Sequence, residues 1–188
     1  MPTTPPRHSR RASPDGLTRL QDLRTAEALV VSVLRLWAEP LRAPEETHPH
    51  WQDGLTAAGL NNDAAVAFDT VMRITIAAAI RPLDIHRPRC PMLGGDEAKL
   101  LDMIALLQHG CHGEAGMLLS DWLALAGVRM ALAPLCILSG ALDKAGLRLP
   151  MPVEAGPAER RKPVPQHAED FTTTRATARV DRGATLVH

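Results

Sequence analysis

A chain of 188 residues is long enough for one domain with a real core, and too short for two full domains plus unstructured ends. Apolar residues make up 45% but aromatics only 3%, with no Tyr and two Phe; the core must therefore be built from Leu, Ala, Val, Ile and Met, which favours close helix packing over a sheet. Formal charge is zero, and residues 17–150 hold 12 basic and 15 acidic groups between slightly basic ends, which excludes the clustered Lys/Arg footprint of a nucleic-acid binder.

Arginine carries nearly all the positive charge, since Lys99, Lys144 and Lys162 are the only lysines, and with the abundant Ala and Pro this suggests a GC-rich bacterial source. Three cysteines, Cys90, Cys111 and Cys136, are an odd count without a disulfide framework, so a reducing cytoplasm is the expected setting. The basic N-terminus is not followed by an apolar segment and does not read as a secretory signal. No charge-free run reaches the roughly 18 residues expected of a spanning helix; the closest, Met130 to Leu142, contains Pro134 and reads as a buried core helix.

Residues 1–16, rich in Pro, Ser, Thr and Arg without apolar periodicity, are expected to be a disordered arm. Ser13 to Gly16 supply capping residues for a first helix from about Leu17 to Glu39, with Leu20, Leu23, Ala26, Val30, Val33, Leu34 and Trp37 inward and Pro40 as its stop. Its second half is apolar almost all round, which predicts a central place in the core. Trp51 to Leu60 predicts a short helix ending at Gly59. Asn61, Asn62 or Asp63 caps the next helix, which runs to about Ile80 with Phe68, Val71, Met72, Thr75, Ile76 and Ala79 in one stripe and Asp69 and Arg73 as an i,i+4 ion pair.

A basic, Pro-rich loop follows Arg81, and Asp96 is the expected cap of a helix through Gln108 with Leu100, Leu101, Ile104 and Leu107 inward. Gly110 and Gly113 precede a helix over Glu114 to Ala126, and Gly127 separates a last one, Val128 to Ala145, with Gly146 as its C′ residue. Pro134 either kinks that helix or opens it. From Pro150 onward the composition predicts a disordered tail. The expected architecture is all-α: a single compact domain of five to six helices over residues 17–150, between an arm at 1–16 and a tail at 151–188.

The stretch from His86 to His112 concentrates the candidate chemistry. His86 and Cys90 form a His-x3-Cys pair, and Cys111 with His112 or His109 offers a second; together they resemble a zinc ligand set, provided the fold brings both ends of the intervening helix together. Such a helix separates its ends by roughly 20 Å, so the loop must run back along it. Otherwise the cysteines are small loop residues. Arg81, Arg87, Arg89 and the Gly94-Gly95 turn suggest an anion cradle at a helix N-terminus, but Asp96 and Glu97 satisfy such donors and repel an anion, which favours capping. Glu97 and Asp102 are off one helical face and read as solvated. No phosphate loop, serine elbow or His-Glu-x-x-His motif is present. The expected function is therefore non-catalytic: a regulatory or adaptor protein that binds a protein partner, not nucleic acid or a membrane, through Arg81, Arg87 and Arg89 in the 81–97 segment. The alternative is a metal-binding or thiol-based sensor or enzyme using His86, Cys90, Cys111 and His112.

Overall fold

The computed structural model describes residues 18–152, and these pack around one hydrophobic core. Six α-helices follow one another: α1 Thr25–Arg42, α2 Trp51–Ala57, α3 Asn62–Ala78, α4 Gly95–Gln108, α5 His112–Ser120 and α6 Leu125–Lys144, with a 3-10 turn at Leu20–Asp22 ahead of α1. There is no β-strand among the described residues, only two isolated bridges, Arg19 with Met92 and Ala79 with Leu123. The all-α expectation holds. The expected arm at 1–16 and all of the expected tail except Met151 and Pro152 lie outside the described residues.

The central element is α4. Leu100, Leu101 and the run from Met103 to Leu107 are all buried, so this helix is apolar nearly all round, and it packs against α1, α5 and α6. A stripe of four inward residues was expected, and burial on nearly every side is found; the second half of α1, buried from Val30 to Glu39 apart from Ser32 and Leu36, lies in the core as expected. The most extensive helix pair is α3 with α6, and α2 bridges α1 and α3. Asn61 caps α3 by accepting the Ala64 N–H at 3.2 Å, and Gly59 closes α2 with φ of +77°, a conformation that favours glycine.

Departures from the expected boundaries have tertiary causes. The helix expected from Leu17 begins only at Thr25, because the preceding chain pairs with the loop ahead of α4: Leu20 N–H donates to the Pro91 carbonyl at 2.8 Å, and Leu93 N–H to that of Thr18 at 2.9 Å. Pro40 does not stop α1. It sits exposed in the last turn, and the helix runs on to Arg42, whose guanidinium donates to the Ile85 carbonyl at 2.6 Å. In α3, Phe68, Val71, Met72 and Thr75 are buried as expected, but Ile76 and Ala79 are exposed. Asp69 and Arg73 form the expected pair at 2.6 Å, and Asp69 also accepts from the Trp37 indole at 2.9 Å, which ties α3 to α1.

The break between α5 and α6 falls at Asp121–Ala124, not at Gly127. Trp122 and Leu123 turn into the core there, and Ile80 N–H donates to the Trp122 carbonyl at 2.8 Å. Gly127 lies instead in the first turn of α6, where a Cβ would meet the Ala78 Cβ at 3.1 Å; its lack of a side chain allows the end of α3 to come close. Pro134 lies inside the continuous α6. This helix is also the one element among the described residues long and apolar enough to cross a membrane by length and composition, with 20 residues and a mean hydropathy of 1.8. It carries Arg129, and its buried positions, Val128, Ala131, Leu135, Leu138 and Leu142, belong to the core shared with α3 and α4.

Candidate functional site: a strapped loop beside an apolar groove

The segment between α3 and α4 has no regular structure, yet two carboxylates at the start of α4 fix its path. Gly94 is the N-cap residue, so Asp96 and Glu97 occupy the second and third helical positions, and the expected cap at Asp96 shifts by two residues. Both are buried, with 3% and 0% exposure. Glu97 is therefore not solvated. It accepts the Gly94 N–H at 2.7 Å and the His86 N–H at 3.0 Å, and receives a two-pronged contact from Arg35 of α1 at 2.8 and 2.7 Å.

Arg35 is itself buried, and its remaining donors hold loop carbonyls: Cys90 at 2.6 Å, Met92 at 2.5 Å and Arg87 at 3.4 Å. A buried charge pair is tolerable only when all its donors and acceptors are met, as they are here. Sequence reading missed Arg35. The available signal was a lone arginine between Leu34 and Ala38 in a stretch apolar on all sides, where a cation demands a buried anion.

Asp96 makes the second strap. It accepts a fork from Arg81 at 2.8 and 2.6 Å, the Asp84 N–H at 2.7 Å and the Trp122 indole at 2.9 Å. Burial alone would raise the Asp96 carboxyl, but the Arg81 fork and the two N–H donors outweigh it and hold it at about 2. Burial likewise opposes ionisation of Glu97, and the Arg35 contact with the two backbone donors reverses this and lowers its pKa. Asp84 returns a contact to the helix by accepting the Gly95 N–H at 2.8 Å. The Gly94 and Gly95 N–H groups are thus taken by the Glu97 and Asp84 carboxylates, and capping prevails over the anion cradle.

Gly94 is required by close approach. A Cβ there would lie 2.6 Å from the Asp84 carbonyl oxygen, which the strap prevents from moving. Gly94→Ala is expected to lower stability by about 1–3 kcal/mol, read as a drop in the urea midpoint; an unchanged midpoint would show the loop to be compliant.

The three arginines expected to meet a partner have different surroundings. Arg81 commits its fork to Asp96, Arg87 reaches Glu39 of α1 at 3.2 Å with its side chain 69% exposed, and Arg89 is exposed. Beside them, α1, α3 and the loop enclose an open apolar groove of about 300 Å³. Trp37, Ala38, Met72 and Thr75 are its buried lining residues, Leu83 and Ile85 come from the loop, and Leu41 and Ile76 are 60% and 57% exposed. A larger cleft of about 490 Å³ between the start of α3 and the end of α6 is lined by Gly59, Asn61, Cys136, Gly140 and Lys144 among others, away from this loop.

The zinc set is not assembled. His86 and Cys90 do meet, with Sγ 3.4 Å from Nδ1, but Cys111 and His112 lie beyond the other end of the 14-residue α4, about 20 Å away at 1.5 Å per residue. The loop does not run back along the helix because Arg35 and Arg81 bind it at the N-terminal end. His109 and His112 engage the Ala105 and Gly110 carbonyls at 2.8 and 2.9 Å. Among the described residues no group of three or more His, Cys, Asp or Glu is arranged to hold a metal ion. No protein-family model, curated protein or solved structure matches this chain, so its functional reading rests on the strapped loop and the groove beside it.

Proposed function

We propose that this chain is a protein-binding module of regulatory or adaptor type, with the 81–97 loop and the adjoining groove as its contact surface. The observation that carries this reading is the pairing of an open apolar groove with a loop whose backbone is already ordered. Exposed Leu41 and Ile76 beside buried Met72 form the kind of concave apolar patch that a partner's side chains fill. A loop held in place before binding loses little conformational entropy when the partner arrives. The exposed guanidinium groups of Arg87 and Arg89 favour a partner segment that is apolar on one face and carries carboxylates at its edge. Three free cysteines suit a reducing, cytoplasmic setting.

The test uses the full chain as bait, with partners identified by mass spectrometry and then bound as purified proteins. Leu41→Asp with Ile76→Asp is expected to abolish the interaction, and Arg87→Glu with Arg89→Glu to weaken it. Met117→Asp, on exposed α5 surface outside the groove, leaves it intact. Arg81→Glu is unsuitable because it removes the partner of buried Asp96. Equal binding by the groove variant and the unaltered chain would sink this reading.

A further inference from the structure

The loop brings a thiol, an imidazole and a carboxylate together in the order that nucleophilic chemistry requires. Cys90 Sγ lies 3.4 Å from His86 Nδ1, and His86 Nε2 lies 3.4 Å from Asp84 Oδ1. His86 Nδ1 is also 2.9 Å from the Met92 carbonyl oxygen. We propose that Cys90 is the reactive thiol of this chain, activated by His86 and positioned for exchange with small disulfides. This stands whether or not the loop docks a partner.

The argument is one of proton placement. In the three-group logic of an activated nucleophile, a base takes the proton and an acid orients the base. The Met92 carbonyl can only accept, so its contact puts a proton on Nδ1, and the Cys90 proton is taken through solvent by the other ring nitrogen, Nε2, whose new N–H faces Asp84. Both acceptors around the ring therefore match its form after it has received the proton. The frame is rigid. Arg35 holds the Cys90 and Met92 carbonyls at 2.6 and 2.5 Å, and the second Asp84 oxygen is anchored by the Gly95 N–H at 2.8 Å.

The surroundings also select the reaction. Acyl transfer needs backbone N–H groups aimed at a developing oxyanion, but the Cys90 N–H is spent on the Arg87 carbonyl at 3.0 Å and the His86 N–H on Glu97. Thiol–disulfide exchange needs no such donors. The Cys90 sulfur attacks one sulfur of the disulfide, a new S–S bond forms as the old one breaks, and the leaving thiolate departs with the electron pair and takes up the proton from His86. The net change is one thiol and one disulfide giving one mixed disulfide and one free thiol. The other two cysteines are poor competitors. Partial burial and the Glu114 carboxylate raise the Cys111 thiol, and burial raises that of Cys136.

Dithiodipyridine, a neutral aromatic disulfide that releases a coloured thione, is a suitable probe for the native full chain. One equivalent is expected to react in a fast phase that Cys111→Ser with Cys136→Ser retains and Cys90→Ser loses. His86→Gln, which still offers a donor to the Met92 carbonyl, is expected to slow that phase by about tenfold. Asp84→Asn, which keeps an acceptor for the Gly95 N–H, is expected to slow it less. In guanidinium all variants retaining Cys90 should react at one common rate at that residue, which separates activation by the fold from a change in the thiol itself. A fast phase that survives Cys90→Ser, or a native rate indifferent to both His86→Gln and Asp84→Asn, would overturn the proposal.

Discussion

Glu97→Ala is expected to cost about 3–5 kcal/mol, a large share of the 5–15 kcal/mol that holds a domain of this size together. The loss exceeds that of an ordinary salt bridge because the change leaves a buried guanidinium without a counter-charge. Arg35 is 1% exposed and cannot swing into water without pulling on the Cys90 and Met92 carbonyls. The Gly94 and His86 N–H groups lose their acceptor in the same step. Arg35→Met is expected to be comparably damaging, since it leaves the carboxylate buried and the loop carbonyls unbound. Combining Arg35→Met with Glu97→Met removes both charges and should recover part of the loss, but not all, because the backbone donors and acceptors remain unsatisfied. Urea midpoints for Arg35→Met, Glu97→Met and the double variant give the coupling directly. A single-variant cost below about 1 kcal/mol would mean that water reaches the pair.

Acid is expected to loosen the same region, with its onset just below about pH 5. The Asp96 carboxyl is held at about 2 in the folded chain against 3.8 for the free group, and Glu97 is also lowered from its ordinary 4.5. A carboxyl whose folded pKa is depressed stabilises the fold above the unfolded value and loses that contribution as pH falls toward the folded one. Asp96 therefore contributes about 2 kcal/mol at neutral pH, lost progressively between about pH 4 and pH 2. Glu97 adds a loss of the same sign that begins near its unfolded pKa. Urea midpoints from pH 7 down to pH 2 should stay level to about pH 5 and then fall, and Asp96→Asn should lower the plateau and flatten part of the descent. A profile of Asp96→Asn parallel to that of the unaltered chain would remove Asp96 as a source of acid sensitivity.

Local sequence signals succeeded where one face of one helix decides the outcome. The α3 stripe from Phe68 to Thr75, the Asn61 cap, the Asp69–Arg73 pair and the turn at Gly59 follow from 3.6-residue periodicity and from the few residues that suit helix ends. The failures lie where a distant segment overrides a local preference. Pro40 reads as a stop, but the α1 terminus is anchored by the Ile85 carbonyl on Arg42, and Gly127 reads as a break although its role is to admit Ala78. The candidate site was half legible. His86 and Cys90, four apart in a loop, stood out and do meet, while Cys111 and His112 are kept away by the length of α4.

By itself the sequence determined an all-helical chain with an aliphatic core and a Pro-rich loop ahead of α4, because composition and periodicity act within a few residues. Only the tertiary structure decided what that loop is. Arg35 and Glu97 stand 62 positions apart, and Arg81 and Asp96 stand 15 apart. Neither pairing has a local signature, since burial creates the demand that a charge find its counter-charge wherever the fold provides one. Those two contacts turn a segment without regular structure into the fixed wall of a groove, with His86 and Cys90 side by side farther along the same loop.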